Sequence, residues 1–295
     1  MPKAGVVFIF AAVRFVVYQI WDTVDVPRMY VKWIETWTHK HPGWQHWFWT
    51  LHDIRRLITR HYPDYLTLYD SYESSVFRAD AGRYFILHRY GGVYVDLDMD
   101  AVRPMDAWTW YSPCLVSEEN YEHVFVVREQ KATNVMNGFI AAAPNHPFLD
   151  FVVKSLDDAA RNYFGDYLYA TGPGFFDAAL RRYITRPSTT EAGRVTVLPP
   201  FYFLPTYDPS ESDVISGKCF PTRMRSLPDK AQIVCRTLAK RSFHNDVDPM
   251  AYANHHWIHA YMFDDAWKKS DAHNVFHVVP GLKSAVAATS NFDSV

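Results

Sequence analysis

The stretch that most limits what this chain can become is Arg78 to Asp100, RADAGRYFILHRYGGVYVDLDMD. Phe77, Ala81, Tyr84 and Leu87 recur at helical spacing, so a helix with one apolar face is expected. Ser74 and Ser75 precede it as candidate N-caps, each with a side-chain oxygen for the first free backbone N–H groups. Gly91-Gly92 stands where a helix end wants a residue tolerant of positive φ. Val93-Tyr94-Val95 then has the β-branched and aromatic character of a short buried strand. On an extended continuation Asp96, Asp98 and Asp100 project to one side. Carboxylates so close together repel unless a cation neutralises them, and hard oxygen ligands suit Mg²⁺ or Mn²⁺ better than zinc.

An Asp-x-Asp triplet alone says little, because Asp246-Val247-Asp248 repeats the spacing in a loop-like stretch. Context separates the two. Asp80 and Arg83 lie three apart and share a helix face, and the glycine pair lets that face approach the strand's carboxyl end. By themselves they would read as a surface ion pair.

Together these residues resemble the glycosyltransferases with a DXD sugar-binding motif, the family 32 group. Its usual form, D-x-x-R-y-x-x-L-y-x-x-G-G-x-Y-x-D-x-D, is matched at Asp80, Arg83, Tyr84, Leu87, Gly91, Gly92, Tyr94, Asp96 and Asp98. The resemblance implies a GT-A-type α/β nucleotide-sugar-binding fold, a mostly parallel central sheet with helices on both faces. It implies a retaining, metal-dependent hexosyltransferase using Mn²⁺ or Mg²⁺, with Asp98 ligating the metal and Asp96 contacting metal or ribose. Asp80 and Arg83, with Gly92 beside them, would hold the donor sugar's hydroxyls. The donor would be a GDP- or UDP-hexose, GDP-mannose preferred, and the acceptor a glycolipid or glycan.

Phe15 to Trp21 is similar to the family's first strand, I-P-x-I-I-H-Q-x-W, with Tyr18 replacing histidine. Trp21 then either packs in the core or stacks on the nucleotide base, as its counterpart does in the glucosylating toxin relatives. Near the other end, Asn254 to Tyr261 resembles H-x-w-x-x-S-W, with Ala260-Tyr261 departing from Ser-Trp. In those toxins this segment closes over the donor and adds to the metal shell. The resemblance makes His255 the candidate third ligand and His256 its reserve, the alternative being a histidine packed on Trp257. Asn137 to Phe148 and Thr171-Gly172-Pro173 match further family segments, with Asn137 and Asp177 as possible polar contacts.

Elsewhere strand-like and helical stretches alternate: Met29–Lys40 helical, Trp44–Thr50 strand-like, Leu51–His61 an amphipathic helix. Such alternation favours a mostly parallel sheet, whose ligands bind at the carboxyl ends of its strands. The 48% apolar content can bury a core, and a formal charge of −2 gives no pull toward nucleic acid. We divide the chain into a possible signal or anchor remnant at 1–14, a catalytic domain at 15–267 and a C-terminal tail at 268–295. Ala4–Val13 is apolar but about half the roughly 20 residues a spanning helix needs. Membrane association and a secretory, Golgi-type compartment remain the expectation from the family. Tyr207–Lys230, rich in Pro, Ser and charge, reads as surface loop, and Gly281–Val295 as a frayed tail. Cys219 and Cys235 are spaced so that a disulfide could form in an oxidising lumen, or both stay reduced, and Cys114 would be a buried free thiol.

No G-x-S-x-G, Walker loop, H-E-x-x-H or zinc-type cysteine set occurs. Two other readings of Asp96-x-Asp98 stay open. One is a phosphohydrolase with Asp96 as nucleophile and Asp98 as acid. The other is a non-catalytic carbohydrate-binding relative.

Overall fold

The computed structural model describes residues 13–186, 190–263, 265–269 and 271–289. The expectation for residues 1–14 therefore falls outside them, except at Val13 and Arg14, as does the extreme end of the tail. Among the described residues eleven strands form in chain order. They are β1 Val16–Trp21, β2 Asp25–Pro27, β3 Gln45–Thr50, β4 Gly92–Val95, β5 Met99–Ala101 and β6 Cys114–Glu118, then β7 Val135–Ala142, β8 Thr196–Leu198, β9 Ala253–His255, β10 Ala272–Asn274 and β11 Leu282–Ser284.

Seven of them make one sheet in the order β11-β3-β1-β4-β7-β6-β8. All neighbours are parallel except at β7, which runs against β4 and β6. The register follows from two-residue alternation. Val17, Val93 and Val95 face one layer of core, whereas Val16, Tyr18, Ile20 and Tyr94 face the other. The helix Arg28–Lys40 covers the first layer through Trp37. Helices Leu51–His61, Ser75–Tyr90, Pro147–Asn162 and Pro173–Ile184 cover the second. Each fully buried aromatic there, Tyr84 and Phe148 among them, contributes about 1.5–3 kcal/mol through burial. The expected α/β architecture, a mostly parallel sheet with helices on both faces, is what the chain adopts.

The glycine pair has a steric reason. Gly91 (φ +63°) has no room for a Cβ, which would sit 2.5 Å from Pro144, and a Cβ on Gly92 (φ +105°) would meet the Tyr18 ring at 2.7 Å. The break turns the Ser75–Tyr90 helix directly into β4, whose carboxyl end carries Asp96. Ser74 is the N-cap, yet its side chain makes no capping bond.

Two stretches differ from expectation. Tyr207–Lys230 is not open loop: Ser212–Lys218, Pro221–Met224 and Asp229–Lys240 are helices. They pack Ile215, Val234 and Leu238 against Val124 and Val126 in a core of their own, closed by a Cys219–Cys235 disulfide. A short, Pro-interrupted pattern hides its apolar positions because each helix is brief. Gly281–Val295 is not wholly frayed either, since Leu282–Ser284 adds the edge strand β11 alongside His46–Phe48 of β3. Three residues are too few to show periodicity. Cys114 is buried and free, as expected. Among the described residues no helix is long and apolar enough to cross a membrane.

Candidate functional site

The carboxyl ends of β1, β4 and β6 and the opening residues of β7 meet at one sheet edge. There a cavity of about 610 Å³ opens, lined at one end by Trp21 and Tyr30 and at its centre by Asp80, Arg83, Asp96 and Asp98. β4 stops at Val95, so Asp96 and Asp98 sit in a turn rather than on a continuing strand. Asp96 N–H donates to the Gly138 carbonyl (2.9 Å) and Met99 N–H to the Asp96 carbonyl (3.1 Å). Gly138 leaves space for the carboxylate, since a Cβ there would lie 2.6 Å from Asp96 Oδ2.

β5 then pairs antiparallel with β9, setting Met99 opposite His255. This pairing carries His255 Nε2 to 3.2 Å from Asp98 Oδ1 and 3.8 Å from Asp96 Oδ2. One potential ligand atom from each of the three lies within 4.8 Å of the others. Two carboxylates and an imidazole form a donor set that suits Mn²⁺ or Mg²⁺. Burial opposes charge on Asp98, but His255 and a hydrogen bond from Ile258 N–H (2.8 Å) hold its pKa down at about 2. Burial likewise opposes a charge on His255, but Asp98 and Asp96 outweigh it and raise its pKa.

The other two members of the expected cluster go elsewhere. Asp100 and His256 bond to each other at 2.8 Å, and His256 stacks on Trp33 with ring centres 4.2 Å apart. The three aspartates thus do not share one side, because the turn after β4 breaks the two-residue alternation. His256 is not placed as a reserve ligand.

Asp80 and Arg83 are buried rather than a surface pair. Their contact is 2.6 Å, with side chains 6% and 7% exposed. Arg83 also donates to Asp96 Oδ1 (3.0 Å) and the Asn137 carbonyl (2.8 Å), and its guanidinium lies over the Tyr94 ring at 4.4 Å. Asn137 Nδ2 donates to Asp80 Oδ1 (3.0 Å), and the Tyr94 hydroxyl to Asp96 Oδ1 (2.8 Å). Burial pushes the Asp80 carboxyl up to about 6, with Arg83 pulling the other way. At neutral pH the pair is ionised, its fork of donors fixed by three acceptors.

Of the remaining expected residues, Trp21 lines the cavity with its ring 5.2 Å from that of Tyr30. Asp177 lines it too and accepts from Val135 N–H (3.1 Å). Gly92 does not reach the cavity, because its Cα is turned toward β1 and Tyr18. Gly172 N–H donates to the Tyr167 carbonyl (2.8 Å) in the turn that precedes the Pro173–Ile184 helix. Sequence reasoning missed Tyr30, Glu119 and Gln130. It also missed that His259, held by Asp208 at 2.6 Å, lines the cavity. None stands in a recognisable spacing, and only the fold collects them.

Residues 27–115 match the family model described as "Glycosyltransferase sugar-binding region containing DXD motif". The chain is 36% identical to inositol phosphoceramide mannosyltransferase 3 of Schizosaccharomyces pombe, over 56% of this chain and 44% of that protein. It is 33% identical to mannosyl phosphorylinositol ceramide synthase CSH1 of Saccharomyces cerevisiae, over 63% and 47%. With the initiation-specific alpha-1,6-mannosyltransferase of Candida albicans it shares 25% over 85% and 71%. The chain spans about half the length of the first two of these relatives. Among solved structures it is similar to the PaToxG glycosyltransferase, with a TM-score of 0.44 and 14% identity over 82% of this chain and 89% of that one. It is also similar to the UDP-bound glycosyltransferase domain of the YGT toxin, with a TM-score of 0.40 and 9% identity over 64% and 80%. Likeness at that level transfers no residue roles. The resemblance drawn from Asp80, Arg83, the glycine pair, Tyr94, Asp96 and Asp98 falls inside the matched region and is borne out.

Proposed function

We propose that this chain, whose residues 27–115 match the model of a DXD-containing glycosyltransferase sugar-binding region, is a GT-A-type, metal-dependent, retaining hexosyltransferase. It moves a hexose, with mannose from GDP-mannose preferred, to a glycolipid or glycan acceptor. The observation that carries this reading is the meeting of Asp96, Asp98 and His255 beside the buried Asp80–Arg83 pair in one cavity. Relatives named as mannosyltransferases acting on inositol phosphoceramide support the choice of sugar and of a glycolipid.

Asp98, Asp96 and His255 would hold a divalent ion, Mn²⁺ or Mg²⁺, whose contribution when bound is to stabilise charge developing on the leaving diphosphate. Trp21 offers an aromatic face for the base, with the buried Tyr30 packed against it. Arg83, clamped by Asp80 and Asp96, presents its remaining donor capacity to the sugar, while the ionised Asp80 accepts from sugar hydroxyls. Trp257 to Tyr261 borders the same cavity and excludes water, which otherwise intercepts an activated sugar. The Cys219–Cys235 disulfide supports a secretory compartment, Golgi-type, since cytosolic thiols are kept reduced.

The test is purified protein with Mn²⁺ and each of the common UDP- and GDP-hexoses in turn, scored for nucleoside diphosphate release. GDP-mannose should give the highest rate, and metal stripping with EDTA should abolish it. Release of inorganic phosphate from phosphomonoesters, without sugar release, would instead favour the phosphohydrolase reading.

A further inference from the structure

An ion pair at the Trp21 end of the cavity has no part in the metal or sugar clusters. β1 ends at Trp21 and the chain bends at Asp22, so these two neighbours line the cavity together instead of facing opposite sides. Lys268 reaches Asp22 from the short helix Asp265–Lys269, beyond the 15–267 boundary expected from the sequence. Its Nζ donates to Asp22 Oδ2 (3.1 Å) and to Ser75 Oγ (3.3 Å), and Ser75 opens the Ser75–Tyr90 helix. An exposed pair of this kind would be worth little. Here the lysine side chain is only 15% exposed and that of Asp22 33%, and both line the cavity beside Trp21.

Position sets this pair apart from the sugar end. The Ser75–Tyr90 helix runs along the cavity and contributes Ser75, Val76, Ala79, Asp80 and Arg83 to its wall. Ser75 is bound by Lys268, and Arg83, eight residues on, is bound to Asp96, a helical rise of about 12 Å. A ribose and a diphosphate laid end to end are of that order. With the sugar at Asp80–Arg83 and the diphosphate at Asp96 and Asp98, the Asp22–Lys268 pair and Trp21 lie where the base falls.

Hydrogen-bonding capacity narrows which base. A carboxylate only accepts, with two lone-pair sites on each oxygen. Asp22 Oδ2 takes one donor from Lys268, and Oδ1 makes no hydrogen bond among the described residues, so both oxygens keep capacity. An ammonium has three N–H groups, and Asp22 and Ser75 take two of them. The pair thus presents one donor beside two acceptors. Guanine's edge is the complement, the O6 acceptor followed by the N1–H and 2-amino donors, and two parallel bonds to one carboxylate are favoured. Uracil carries a single N–H between two carbonyls, so the second carboxylate oxygen would meet another acceptor. We propose that Asp22, held by Lys268, reads the nucleotide base and makes the site specific for guanine over uracil. The inference rests on the glycosyltransferase reading above.

Its test is calorimetry with Mn²⁺ on GDP, UDP and xanthosine 5′-diphosphate. Xanthine keeps guanine's O6, N1–H and stacking surface but has a carbonyl in place of the 2-amino group. Wild type should bind GDP at least about tenfold more tightly than either of the others, the discrimination one bidentate pair provides. Asp22→Asn turns one acceptor into a donor, so it should weaken GDP and tighten xanthosine diphosphate, lowering the ratio of their affinities by about tenfold or more. Lys268→Met removes the ion pair and the contact to O6, which both purines share, so it should weaken the two alike and leave their ratio unchanged. A carboxylate that served only to anchor Lys268 would make Asp22→Asn behave as Lys268→Met does, and an unchanged ratio in Asp22→Asn overturns the assignment. So does a wild type that binds UDP as tightly as GDP, a comparison that needs no variant to fold. Either result leaves the donor reading intact, whereas a wild type that binds none of the three overturns that reading itself.

Discussion

Of the three Asp-x-Asp triplets in the chain that have an apolar residue between the acids, Asp96-Leu97-Asp98 and Asp246-Val247-Asp248 meet opposite fates. At Asp96-Leu97-Asp98 the central leucine is 5% exposed, and Asp98 is 9% exposed and in contact with His255. At Asp246-Val247-Asp248 the Asp246 carboxylate is 85% exposed, with only His244 at 3.6 Å, and Asp248 is spent on a local turn, accepting from Met250 N–H. Spacing is identical, so spacing is not what makes the site. The first triplet stands where a buried strand ends and a distant strand returns beside it. There water is excluded, and charges interact strongly. The second lies in solvent, where such interactions are screened and worth little.

The largest effect that separates the triplets comes from removing one charge at each. Asp98→Asn preserves shape, yet turnover should fall by the ~10²–10³ typical of losing one electrostatic stabiliser. Asp248→Asn should leave turnover within twofold. Nucleoside diphosphate release at saturating donor and Mn²⁺ measures both, and equal losses would erase the distinction. Next in size is Arg83→Lys. Lysine keeps the charge but cannot bridge Asp80, Asp96 and the Asn137 carbonyl with one planar fork. Turnover should drop tenfold or more while circular dichroism is unchanged. Wild-type kinetics would reduce the pair to a structural contact.

The smallest effect is a pH limb. Burial puts the Asp80 carboxyl at about 6, against an ordinary value near 3.8. Below about pH 6 the group is protonated and its pairing with Arg83 weakens, so turnover should decline toward acid. Asp80→Asn, slower throughout, should lack that limb. Stability moves the other way. Because the folded value lies above the ordinary one, Asp80's contribution is fully present below about pH 4 and is lost as pH rises through about 6. Denaturant melts of wild type and Asp80→Asn across that window check the sign, while activity profiles check the site.

Much of the site was legible because it is local. A helix, a glycine pair and a strand are written in contiguous periodicity, and the positions of Asp80, Arg83 and Asp96 follow from it. The Cys219–Cys235 bond, open in the sequence, is formed in the fold. Asp100 misled because alternation assumes the strand continues, and the turn at Asp96 ended it. The helices after Tyr207 misled because short elements with interrupted patterns gain their stability from packing on Val124 and Val126, not from propensity.

By itself, then, the sequence determined the helix, glycine pair and strand that set Asp80, Arg83 and Asp96 on an α/β sheet, since hydrophobic period and turn chemistry are properties of neighbours. Only the tertiary structure decided which histidine meets the carboxylates, for the Asp98–Ile258 hydrogen bond spans 160 positions and depends on the β5–β9 register. It also decided that Asp80 and Arg83 are buried together, with Asn137 arriving from β7 to donate to the Asp80 carboxylate. Nothing in the local chain can specify that, because what surrounds a buried acceptor is set by elements arriving from elsewhere in the fold.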